Sequence, residues 1–96
     1  MNLNLRITPH AHSRMMKRNI PKKAVVVIAL GGEVIEKYPD DWRGPRELML
    51  GWYQGNPIHL VRLFDFDSGI LEVITVYRPD PRHWKKDWKT RKKRKR

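Results

Sequence analysis

The Gly31-Gly32 doublet separates two textures of sequence, and that break constrains the fold more than any other feature. Upstream, the chain carries helix signals. Thr8 can cap the free N–H groups of a first helical turn, and Pro9 at the first helical position gives up a donor that has no partner there. The helix is expected over residues 9–18, with Asn19, which tolerates a left-handed backbone, and Pro21 punctuating its end. Pro21 opens a second segment that closes at the glycine doublet. Its run Ala24-Val25-Val26-Val27-Ile28-Ala29-Leu30 pulls both ways, because β-branched residues favour a strand while the length and flanks favour a helix. The expectation is a helix.

Downstream, short apolar runs alternate with turn residues, the pattern of an antiparallel meander rather than of parallel strands joined by helices. Strands are expected near residues 33–38, 46–53, 58–66 and 70–77. The fold class is therefore α+β, with two N-terminal helices on a sheet of about four strands. Asp67-Ser68-Gly69 reads as a three-residue hairpin loop with its glycine in the left-handed position. Phe66 then faces Ile70, and counting back brings His59 opposite Tyr77. Alternation assigns Ile58, Leu60, Phe64, Ile74 and Val76 to the face that receives the helices. His59, Val61, Leu63, Val73, Thr75 and Tyr77 take the other face.

The net charge of +11 arises from Lys+Arg 21 against Asp+Glu 10, and its distribution is uneven. Residues 85–96 hold nine bases and one acid, so +8 sits in this tail and only +3 over residues 1–84. The expected organisation is one domain over residues 1–84 followed by a basic tail over residues 85–96, flexible or helical. Such a charge speaks of partners, above all a polyanion such as RNA. Without cysteine the chain has no disulfide, thiolate metal site or Cys nucleophile. The N-terminus lacks the apolar core of a secretory leader and no run is long enough to span a bilayer, so a cytoplasmic protein with no membrane partner is expected.

Two constellations could carry chemistry. His59 titrates near neutrality and Tyr77 can donate to a phosphate oxygen, although both also suit a half-buried sheet surface. His10, Arg14 and Arg18 recur at spacing four along the first helix and form a cationic stripe beside the apolar pair Ala11 and Met15. His10 also sits near a helix N-terminus, where an anion is favoured, though cationic solvated faces are common. His10-Ala11-His12 does not make a metal grip, because two residues turn a helix by about 200°. Asp40-Asp41, Asp65 and Asp67 lie in turns and make no catalytic pair. No metal and no cofactor are expected. In the tail, Trp84 and Trp88 interleave with Lys85, Lys86 and Lys89, a pattern suited to phosphate contact and base stacking. The same pattern also suits a solvated end.

An ordered set of short strings gives a further reading. These are Thr8-Pro9-His10-Ala11-His12-Ser13-Arg14-Met15 with Arg18 and Ile20, then Gly32-Glu33-Val34-Ile35-Glu36 with Tyr38, Gly44-Pro45 and Leu50-Gly51. Pro57-Ile58-His59-Leu60-Val61 follows, then Ile74-Thr75-Val76-Tyr77-Arg78-Pro79-Asp80-Pro81 with Trp84. Over residues 5–84 the chain resembles a small prokaryotic domain-of-unknown-function family, number forty-two fifty-eight. It departs from the family pattern at Asn19, where Gly is usual, and at Arg46, where Ser often follows Gly-Pro. That family in turn resembles toxins of the RelE and MqsR type, in which two N-terminal helices pack on a curved antiparallel sheet.

The resemblance implies a metal-independent endoribonuclease of a toxin-antitoxin system, held inactive by an antitoxin of the YgiT zinc-finger class. Its positions carry over as His10, Arg14, His59 and Tyr77. In the cleavage so implied, the 2′-hydroxyl of RNA, including ribosome-associated mRNA, attacks the adjacent phosphate. His59 would be the base or acid, Tyr77 would orient or protonate, and Arg14 and Arg46 would neutralise the phosphorane. Arg18, Arg46, Arg78, Trp84, Lys85, Lys86, Trp88 and Lys89 would hold the RNA. Two rivals stand beside this reading: a non-catalytic RNA- or ribosome-binding module, and an interaction protein whose hairpin edge accepts a partner strand.

Overall fold

The computed structural model describes residues 4–39 and 42–93, so the Asp40-Asp41 turn and the basic end Arg94-Lys95-Arg96 lie outside the described residues. Its elements are β1 (Asn4–Ile7), α1 (Pro9–Arg18), α2 (Lys22–Gly31), β2 (Glu33–Tyr38), β3 (Arg46–Tyr53), β4 (Asn56–Asp65) and β5 (Ile70–Tyr77). The strands form one sheet in the order β1-β5-β4-β3-β2. This is an α+β fold, but the sheet has five strands and is mixed, because β1 runs parallel to β5 while the other pairs are antiparallel. The expected sheet of four antiparallel strands misses β1. At four residues, that strand is too short to show a period against its polar neighbours.

Both helices form for the anticipated reasons. Thr8 Oγ1 accepts from the Ala11 N–H at 3.1 Å, Pro9 occupies the first turn, and Asn19 closes α1 at φ 53°, ψ 47°. The ambiguous second run is helical because Ala24, Val25, Ile28 and Ala29 fall on one face and are all buried. A Cβ on Gly51 would lie 2.3 Å from the Ile28 side chain, so the glycine lets α2 settle directly on β3. With Ala11 and Met15 of α1 and Met49, Ile58, Leu60, Leu71, Val73 and Val76 of the sheet, these residues make the helix-side core.

The β4–β5 hairpin departs from expectation twice, and the two departures cancel where His59 meets Tyr77. The loop holds four residues, since Asp65 pairs with Ile70. Asp65 Oδ1 accepts from the N–H groups of Asp67 and Ser68 at 3.0 and 3.3 Å, so its carboxylate nucleates the longer turn, with Gly69 at φ 71°. A bulge then leaves Ile74 unpaired between Val61↔Thr75 and Arg62↔Val73. The extra residue restores the register, and His59 pairs with Tyr77. The face assignment of Val73 and Ile74 is thereby corrected. Val73 is fully buried in the helix-side core, and Ile74 is only half-buried.

Thr8 holds this bulge as well as the helix. Its N–H donates to the Val73 carbonyl at 3.1 Å and its hydroxyl donates to the Ile74 carbonyl at 3.0 Å. Thr8→Val keeps the side-chain shape and removes both hydroxyl bonds. It should lower unfolding stability by about 1–3 kcal/mol in urea titration, the sum of a lost cap and an unpaired carbonyl.

Candidate functional site

Register places a second set of residues on the sheet face away from the helices. Leu50, His59 and Tyr77 form one row, Glu36, Leu48 and Val61 the next, and Tyr38, Arg46 and Leu63 the third. Leu48, Leu50, His59 and Leu63 are buried, yet none belongs to the helix-side core. Part of their cover is the basic segment that follows β5. Trp84 is only 4% exposed, and its ring meets the His59 ring edge-on with centroids 4.5 Å apart.

The segment over residues 79–93 forms a turn-rich clip with no helix among its described residues. His83 and Trp84 donate from their N–H groups to the Asp80 carbonyl. Trp84 bridges Arg91, with Lys85 N–H to the Thr90 carbonyl at 2.8 Å and Lys92 N–H to the His83 carbonyl at 2.9 Å. Asp87 accepts from the N–H groups of Lys89 and Thr90 and from the Thr90 hydroxyl, which closes the tip. Trp88 takes a left-handed φ of 61°, held by its N–H bond to the Lys85 carbonyl. The clip is fastened to β2 by ion pairs from Lys89 to Glu33 at 2.9 Å and from Arg91 to Glu36 at 2.8 Å. The Arg91 guanidinium also lies 4.6 Å above the Trp84 ring.

His59 is the buried polar pin of this assembly. Nε2 lies 2.6 Å from the Trp88 carbonyl and Nδ1 lies 3.1 Å from the Tyr77 hydroxyl. A carbonyl can only accept, so Nε2 carries the proton; in the neutral ring Nδ1 then accepts from the Tyr77 O–H. Burial pushes the His59 pKa down, outweighing the Trp88 carbonyl and Glu36, which pull it up. Burial likewise raises Tyr77.

At the rim of the face, Glu36 binds Arg91 through two charge-assisted bonds of 2.8 and 3.0 Å and also accepts from the Tyr38 hydroxyl. The Arg91 bonds hold the Glu36 carboxyl below the usual range, and Arg91 itself is raised by the same bonds. Tyr38 is raised by burial and by its bond to Glu36. The result is a half-exposed cluster of a carboxylate, a guanidinium and two neutral phenols around a buried neutral imidazole.

The sequence-derived candidates divide between the two sides of the sheet. His59 and Tyr77 are joined at the covered face, and Arg46 stands beside Tyr38 in the register. α1 docks on the helix-side core through Ala11 and Met15, and the contacts of His59 go to Tyr77, Trp84 and Trp88 rather than to His10, Arg14 or Arg18. His10 Nε2 instead meets Thr75 Oγ1 at 3.1 Å. Arg78 spends its guanidinium on the Arg18 and Asn19 carbonyls, capping the end of α1. Trp84 is buried, Trp88 half-buried and Lys89 paired, while Lys85 and Lys86 are exposed. Sequence reading overlooked Glu36, Tyr38 and Arg91. The spacing of two between Glu36 and Tyr38 on one strand was the available signal, whereas Arg91 was masked by its basic neighbours.

The chain belongs to the family described as Domain of unknown function (DUF4258), which matches residues 7–78, three quarters of its length. No curated protein and no solved structure matches it. The matched region holds Glu36, Tyr38, His59 and Tyr77, while the clip with Arg91 lies beyond it.

The buried imidazole should be visible in the pH dependence of stability. Folded His59 has a pKa below its ordinary 6.5, so on acidification the unfolded chain takes up the proton first. The His59 contribution is therefore complete above about pH 6.5 and is lost as pH falls through that value, until the folded-state pKa is reached. Thermal melts between about pH 7.5 and pH 5 should show a steeper loss for the native chain than for His59→Gln.

Proposed function

We propose that this protein is a metal-independent endoribonuclease of the RelE and MqsR toxin type, working on RNA at the rim where Glu36, Tyr38 and Arg91 meet. The supporting observation is the assembly of Glu36, Tyr38, Tyr77, His59 and Arg91 into one cluster on the face that the helices leave free. Two helices packed on one face of a sheet are a feature such toxins also have, although here β1 precedes the helices and runs parallel to β5.

The chemistry follows from competition for one guanidinium. An RNA phosphate drawn to Arg91 takes hydrogen bonds that now go to Glu36, and the carboxylate, losing its counter-charge, becomes a stronger base. Glu36 then removes the proton of the 2′-hydroxyl as that oxygen bonds to phosphorus and the bond to the 5′-oxygen breaks. The departing 5′-oxygen takes a proton from water, and Glu36 returns its own to solvent. Arg91, Arg46 and the Tyr38 hydroxyl offset the charge gathering on the phosphorane. His59 and Tyr77 act as positioning residues, because the buried imidazole has both nitrogens occupied. His10, which meets Thr75, and Arg14 are given no step in this reading. Exposed Lys85, Lys86, Lys92 and Lys93 supply affinity for the backbone. In this reading the protein acts in the cytoplasm on mRNA, including ribosome-bound mRNA, and an antitoxin of the YgiT zinc-finger class restrains it.

Incubation of the full chain with mRNA in EDTA should yield fragments ending in 2′,3′-cyclic phosphate. Glu36→Gln should cut slower by about 10²–10⁴, the range for losing a general base, while still binding RNA. Cleavage that needs a divalent ion, or that survives unchanged in Glu36→Gln, would sink this mechanism. Salt-dependent binding without cleavage would instead favour a non-catalytic RNA-binding module, a reading that the fully engaged His59 also suits.

A further inference from the structure

On the helical side, a groove opens between the end of α1, the start of α2 and the β3–β4 turn. Its volume is about 480 Å³, and Met15, Met16, Ile20, Pro21 and Tyr53 line it together with His12. Met15 and Ile20 form a buried floor, while Met16 is 82% exposed. Methionine side chains adapt to varied apolar partners, and an apolar groove of this kind suits one face of an amphipathic helix.

The rim selects the charge of that helix. Lys17, Arg18, Lys22 and Lys23 are all exposed and lie within two residues of lining positions in the chain, and Lys23 Nζ sits 5.8 Å over the ring of Tyr53, which lines the groove. No Asp or Glu occurs in the sequence before Glu33, so the helical layer presents one sign of charge. A second copy of this chain, at +11, is repelled. RNA matches the charge but not the exposed methionine lining, which a polyanion backbone leaves wet. We infer that this groove binds an acidic amphipathic helix of a partner protein, its apolar side chains against Met15, Met16 and Tyr53 and its carboxylates toward Lys17, Lys22 and Lys23.

The inference does not rest on the ribonuclease reading, and the two fail separately. The probe is a fluorescent synthetic helix of Leu and Glu, with Leu at i, i+3, i+4 and i+7. Its controls are a scrambled peptide of the same composition and a Leu/Lys helix. Fluorescence anisotropy should show the Leu/Glu helix binding at least about tenfold tighter than either control. Met16→Asp, an exposed change, should weaken that binding about tenfold while leaving the melting temperature and RNA cleavage unaltered. Joint replacement of Lys17 and Lys22 by Glu should reverse the preference toward the Leu/Lys helix. Equal binding of the scrambled peptide, or an unchanged Met16→Asp variant, overturns the inference. So does displacement of the bound helix by single-stranded RNA that requires Met16, or a concentration-dependent dimer that buries it.

Discussion

Thr8 is the joint on which the rest of the structure depends. It lies where β1 ends, α1 begins and β5 bulges, and it bonds to Val73, Ile74 and Ala11 at once. The bonds to β5 give the bulge carbonyls partners that the ladder cannot supply, and the accepted bond starts the helix. Fixing the bulge sends Val73 into the helix-side core and brings Tyr77 into line with His59. Thus a residue of the helical layer sets the geometry of the face beneath it. The sheet transmits that setting because a shift of one residue would turn every side chain of β5 over.

The two faces of the sheet are covered by different physics. The helix side is closed by packed aliphatic surface, where each fully buried Leu, Ile or Val contributes about 1.5–3 kcal/mol. The other side is covered by a segment too basic to collapse by itself. It is held by one buried indole, a carbonyl on a neutral imidazole, and salt bridges to Glu33 and Glu36. The Lys89 pair is exposed and is worth little, so the burden falls on Trp84, His59 and the doubly bonded Arg91. Losing the His59 contact would strand a polar group in an apolar setting, which makes this pin specific rather than merely adhesive.

Both helices and four of the five strands were legible because each carries a local signal. Thr8-Pro9, Asn19 and Gly31-Gly32 mark ends, and apolar spacing marks faces. β1 was not legible, since its place comes from a partner more than sixty residues away and from no period of its own. A three-residue loop without a bulge pairs His59 with Tyr77 just as the real hairpin does, because the extra loop residue and the bulge offset each other. The site was half legible. His59 and Tyr77 stood out by residue type, but the cluster around Glu36 is assembled by Arg91 from a segment whose composition reads as solvated charge. Composition reports net charge and is silent about which bases are spent on internal acids.

The fastening of the clip to β2 has a consequence for the margins of the sheet. A five-stranded open sheet has two edges, and an unguarded edge invites another chain to add a strand. β1 offers only four residues at one margin. At the other, β2 is broken by an irregularity between Val34 and Glu36, and two of its acids hold Lys89 and Arg91 across it. Among the described residues, one edge strand is short and the other irregular. The ion pairs that hold the clip over His59 thus also crowd β2 with charged side chains, a feature that discourages edge-to-edge pairing.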